Sequence, residues 1–107
     1  MLNLAISESL LTQQSERVLK RLKKKMERDL SRIPGVVLHF QVQPKTKKQS
    51  KINTFLQVSN ETFHHQEFDA RSWESALEQT VNYAIRFVRR DLPYLRQDRD
   101  ESRFLPR

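Results

Sequence analysis

Apolar positions alternate at the start of the chain: Leu2, Leu4 and Ile6 are separated by Asn3, Ala5 and Ser7, the period-2 signature of a short strand. The period then lengthens. From Thr12 to Arg32 the side chains Val18, Leu19, Leu22, Met26 and Leu30 recur at helical spacing. This predicts a helix capped by Thr12, running to about Leu30 and stopped by Ile33-Pro34-Gly35. Period 2 returns from Gly35 to Gln43, with Leu38, Phe40 and Val42 on one face and His39 and Gln41 on the other. A polar, cationic loop, Pro44 to Ser50, leads into a second alternating strand, Lys51 to Ser59, whose Ile52, Thr54, Leu56 and Val58 face inward. Asn60-Glu61 is the expected tight turn. Thr62 to Phe68 reads as a further strand of ambiguous register, because Phe63 and Phe68 would lie on opposite faces. Ser72 caps a second helix with Glu74 in its first turn, a buried stripe of Trp73, Ala76, Leu77, Val81, Ala84, Ile85 and Val88, and an end at Pro93.

The element order is β-α-β-β-β-α, which implies an α+β fold: a four-stranded mixed sheet with two helices packed on one face. The first two strands are joined through a helix and should therefore pair in parallel with a right-handed crossover, while the rest form an antiparallel meander. Residues 1–92 are read as a single domain, and residues 93–107, rich in Arg, Asp and Glu, as a flexible C-terminal tail. The sheet face away from the helices would carry His39, Gln41, Asn53, Phe55 and Gln57, polar enough to meet solvent or a partner.

Charge changes the picture more through its placement than its amount. The 107 residues carry a formal net charge of +7. On a helical wheel Arg17, Lys20, Arg21, Lys24 and Arg28 gather opposite the apolar stripe of the first helix. Glu16 and Glu27 sit at the edge of that cluster, and Asp29 is turned toward the apolar side. A solvated helix face normally interleaves both signs. A one-sign stripe repels itself and is most easily retained where a polyanion neutralises it. Arg86, Arg89 and Arg90 form a second set near the end of the other helix, and Lys45, Lys47 and Lys48 a third in the hairpin loop. The expected partner is structured RNA, gripped through its phosphates and recognised by shape. Tyr83 projects from the outer face of the second helix beside Arg86 and Arg90, where it could stack a splayed base or pack on the tail at Leu95 or Phe104. Phe55, on the open sheet face, is either a stacking platform or a cross-strand partner.

Several chemistries drop out. There are no cysteines, hence no disulfides or thiolate zinc sites, which fits a reducing cytoplasm. One glycine cannot build the glycine-rich phosphate loops of nucleotide-binding enzymes. No apolar run is long enough to cross a membrane, and Met1–Ile6 is too short for a signal peptide and lacks a basic n-region followed by a long apolar run. His64 and His65 are adjacent on an extended segment, so they point to opposite faces and cannot chelate one ion, despite Glu61, Glu67 and Asp69 nearby. No arrangement suggests a catalytic triad. The expectation is a protein with no catalytic residue, metal, cofactor or small-molecule substrate.

The opening strand Leu2-Asn3-Leu4-Ala5-Ile6-Ser7, the spacing to Thr12, the basic first helix, and Ala76-Leu77-Glu78 with the basic end of the second helix together resemble the ribosome hibernation factors, the family of the ribosome-associated inhibitor and hibernation-promoting factor. The resemblance covers residues 1 to about 92 and fits a short form, without the separate C-terminal dimerisation domain of long members. The family usually has glycine where this chain has Ser7, and an acidic residue and an aromatic where it has Ser72-Trp73. The resemblance implies a non-enzymatic, cytoplasmic factor, monomeric when free, that binds the small ribosomal subunit in the messenger and transfer RNA channel and inhibits translation. By position that role would fall on Arg17, Lys20, Arg21, Lys24, Lys25 and Arg28, and on Arg86, Arg89 and Arg90. Two other readings stay open. One is a generic double-stranded-RNA-binding domain, which lacks the opening strand and has lysines where Ser72-Trp73-Glu74-Ser75 stands here. The other is a basic module for an acidic protein partner.

Overall fold

A computed structural model describes residues 1–93. The elements are β1 (Leu2–Ile6), α1 (Gln13–Leu30), β2 (Val36–Pro44), β3 (Ser50–Val58), β4 (Glu61–Ala70) and α2 (Trp73–Arg86), with one 3₁₀ turn at Glu8–Leu10. The sheet order is β1-β2-β3-β4, parallel between β1 and β2 and antiparallel thereafter. This is the expected α+β arrangement. The tail from residue 94 onward lies outside the described residues.

The local signals act as they should. Thr12 accepts a hydrogen bond from the Ser15 amide while the Ser15 hydroxyl accepts one from the Thr12 amide, a reciprocal capping box. Ser15 is buried in doing so. Leu22, Met26 and Leu30 of α1 are buried, with Val18 and Leu19 half-buried at the margin of the stripe. They meet Leu38, Phe40 and Val42 of β2, Ile52, Leu56 and Val58 of β3, and Trp73, Leu77, Val81, Ala84, Ile85 and Val88 of α2 in one core. Thr54 is buried among these apolar groups because its hydroxyl donates to the His39 carbonyl at 2.9 Å. At the start of the parallel pair the Met1 ammonium donates to the Val36 carbonyl, and burial pushes its pKa below the ordinary amino value, with Glu27 opposing.

Gly35 is a requirement rather than a convenience. Its φ is +75°, and an added Cβ would lie 3.3 Å from the Ser59 nitrogen, which itself donates to the Gly35 carbonyl at 3.0 Å. Gly35→Ala should therefore destabilise the fold by about 1–2 kcal/mol, read as a lower urea midpoint with an unchanged slope. An unshifted midpoint would mean that this connection tolerates a side chain.

Two local expectations change. The β3–β4 turn is centred on Ser59-Asn60 rather than Asn60-Glu61. Both residues have positive φ (51° and 71°), and Val58 pairs with Glu61, the two-residue loop whose twist matches a hairpin. The ambiguity of β4 is resolved by a bulge. Leu56 faces Phe63 but Thr54 faces Gln66, so β4 carries one extra residue and His64 adopts φ 53°. The extra residue restores the alternation, and Phe63 and Phe68 both pack against the core. The second helix reaches Pro93, the last described residue. Beyond Arg86 the chain widens into a π turn over Phe87–Asp91, with the Leu92 amide donating to the Phe87 carbonyl, and residues 92–93 remain helical. A widened turn relieves the clash that a proline ring makes with the carbonyl four residues back. Phe87, absent from the expected stripe, is buried together with Val88 and Leu92.

Candidate nucleic-acid interface

The cationic face of α1 is where the wheel puts it. Arg17, Lys20, Arg21, Lys24 and Arg28 are exposed, and Lys25 is half-buried because it turns toward α2. Two contacts bridge the helices: Arg21 to Glu78 at 3.3 Å, and the Lys25 ammonium donating to Asn82 Oδ1 at 2.5 Å. Both join residues separated by 57 positions, so successive turns of α1 and α2 meet in step and the helices run parallel. That polarity follows from the topology. Each helix descends after a rising strand, α1 after β1 and α2 after β4.

Parallel packing brings the two C-terminal ends together. Between them lies a groove of about 440 Å³, walled by Lys25 and Asp29 of α1, Asn82, Ile85 and Arg86 of α2, and Arg89 and Arg90 of the π turn. Four cations and one carboxylate thus line a single depression. Part of this charge has a local cause. Arg28 and Arg86 stand in last turns and Arg89 and Arg90 follow, where cations offset the negative helix end by about 0.3–1 kcal/mol each. Arg28 also contacts Asp29 at 3.1 Å. No such cause covers Arg17, Lys20 and Lys24. They lie before the last turn of α1, and among the described residues they form no ion pair.

The loop cations stand apart. Pro44 pairs with Ser50, and Ser50 with Ala70 just before the α2 cap, so Lys45, Lys47 and Lys48 lie at the end of the sheet where the helices begin. Lys45 is engaged by Asp69 at 2.6 Å, and Lys47 and Lys48 are exposed. The structure unites α1 with the end of α2 and leaves this loop at the other pole.

Tyr83 is exposed at 39%, and Arg86 lies over its ring with the guanidinium carbon 5.7 Å from the centroid. Its described packing partners are His64, edge-on at 5.0 Å, and Phe87 at 6.5 Å. Leu95 and Phe104, the partners considered from sequence, lie outside the described residues. His64 is the residue that sequence reasoning missed here, since only the bulge aims it at α2. His65 points to the opposite face, bonding Asn53 at 2.9 Å, so the two histidines diverge as expected. Phe55 is a cross-strand partner. It stacks on His39 at 4.3 Å and makes a T-shaped contact with His65 at 5.8 Å.

Among the described residues no helix is long and apolar enough to cross a membrane. No protein-family model matches the chain, and no curated protein matches it in sequence.

Proposed function

We propose that the protein is a non-enzymatic RNA-binding factor that docks the parallel basic helices α1 and α2 onto rRNA of the small ribosomal subunit, in the manner of a cytoplasmic hibernation factor that inhibits translation. The observation that carries this reading is the merging of the α1 stripe and Arg86, Arg89 and Arg90 into one surface, which includes cations that form no ion pair among the described residues. Counterions displaced from each neutralised phosphate would make binding fall steeply with salt. The opening strand favours this over a generic duplex-RNA domain, because β1 is an integral parallel member of the sheet.

The test is co-sedimentation with small subunits and whole ribosomes across a salt series, with duplex RNA as competitor. Salt-sensitive binding to the small subunit that duplex RNA does not displace is the expected result. Equal affinity for any duplex would reduce the protein to a general RNA binder. Binding to neither would return the basic surface to an acidic protein.

A further inference from the structure

A second groove adjoins the cationic one and differs in character. α2 lies over β2 and β3, so the helix-side face of the edge strand β4 stays partly open beside it. The space between, about 660 Å³, has an apolar floor that includes Leu56 and Phe68, and a wall where Tyr83 meets His64. Gln66 and Gln79 are among its lining residues, and their side-chain amides can donate to or accept from the edge of a planar ring. Its volume is in the range of sites that enclose small organic ligands. Asn82 and Arg86 line both this groove and the cationic one. A phosphate held on one side of Arg86 is therefore a side-chain width from an apolar, glutamine-lined slot on the other.

We propose that this slot receives one unpaired nucleobase of an RNA whose neighbouring phosphates lie on Arg86, Arg89 and Arg90. The inference rests on the RNA reading above and adds base recognition to a surface that otherwise grips only backbone. The occupant follows from three features together: the anion-seeking cations at the mouth, the exposed Tyr83 ring beneath Arg86, and the glutamines among the lining residues. Single-stranded bases are commonly held in this way, with a stacking ring, amides on the base edge and cations on the backbone.

The experiment compares three RNA hairpins at about 50 mM salt: one with a single bulged base, one with an abasic site at the bulge, and one fully paired. The bulged base should bind about tenfold tighter than the abasic hairpin, in line with the contribution of one stacked base. Gln79→Trp, an exposed position on α2, fills the slot with a bulky ring. It should erase that preference while leaving affinity for the abasic hairpin within about twofold, because phosphate contacts dominate it. Equal affinity for bulged and abasic RNA overturns the base site and leaves the RNA reading standing. Failure to bind any of the three hairpins also overturns the base site, whereas the small-subunit reading stands or falls on the co-sedimentation test above. A base preference undiminished in Gln79→Trp places the base elsewhere and also overturns the proposal.

Discussion

Changing Arg17, Lys24 and Arg28 to Glu should abolish co-sedimentation with the small ribosomal subunit while leaving the domain folded. The three side chains are exposed along the length of α1, and reversing them lowers the formal net charge from +7 to +1. Each lost phosphate contact removes one released counterion and each new carboxylate adds repulsion, so affinity should fall by several orders of magnitude and the salt slope should flatten by about three. The stability effect is small by comparison. Only Arg28 stands in the last turn, where losing a cation and gaining an anion beside Asp29 costs on the order of 1 kcal/mol. Lys51→Glu, on the opposite sheet face, makes the same change per residue with the sheet standing between it and the interface and should alter binding less than twofold. Retained binding by the triple variant would show that α1 is not the contact surface.

Leu22→Ala should do the reverse. Leu22 lies between Arg21 and Lys23 on the same helix but is only 1% exposed, packed in the core shared with the sheet and α2. Removing it leaves a cavity that the surrounding β2 and α2 side chains cannot close, at a cost of about 2–5 kcal/mol. For a domain whose total stability is of order 5–15 kcal/mol this should lower the urea midpoint markedly, and molecules still folded should bind RNA as before. An unchanged midpoint would contradict the placement of α1 on the sheet. The two variants together separate the two faces of one helix, one holding the fold and the other facing the partner.

What the sequence discloses depends on how local the cause is. The α1 boundaries were legible because Thr12 and the Pro34-Gly35 stop act within a few residues. The inward faces of β2 and β3 were legible because strict alternation admits one register. β4 was not, since its bulge has no glycine to announce it and is set by the pairing of Phe63 with Leu56 and Gln66 with Thr54 across the hairpin. The π turn was equally hidden, because the residues Phe87–Asp91 carry no glycine or proline to announce it, while Phe87, Val88 and Leu92 are buried there. In the candidate interface the α1 stripe could be read from a wheel, but the step-for-step meeting of Arg21 with Glu78 and Lys25 with Asn82 is a tertiary fact. So is the contact of His64 with Tyr83.

That stepwise meeting bears on how the surface is used. Two parallel helices bridged by Arg21–Glu78 and Lys25–Asn82 and seated on one sheet hold the backbone positions of their cations at fixed spacing before any partner arrives. A basic segment that orders only on contact loses conformational entropy at that moment, and its affinity is reduced accordingly. Here the backbone entropy is lost during folding of the core, so association immobilises side chains alone. The surface is a preorganised plate whose rigidity is set by Leu22 and its neighbours, residues that no ligand touches.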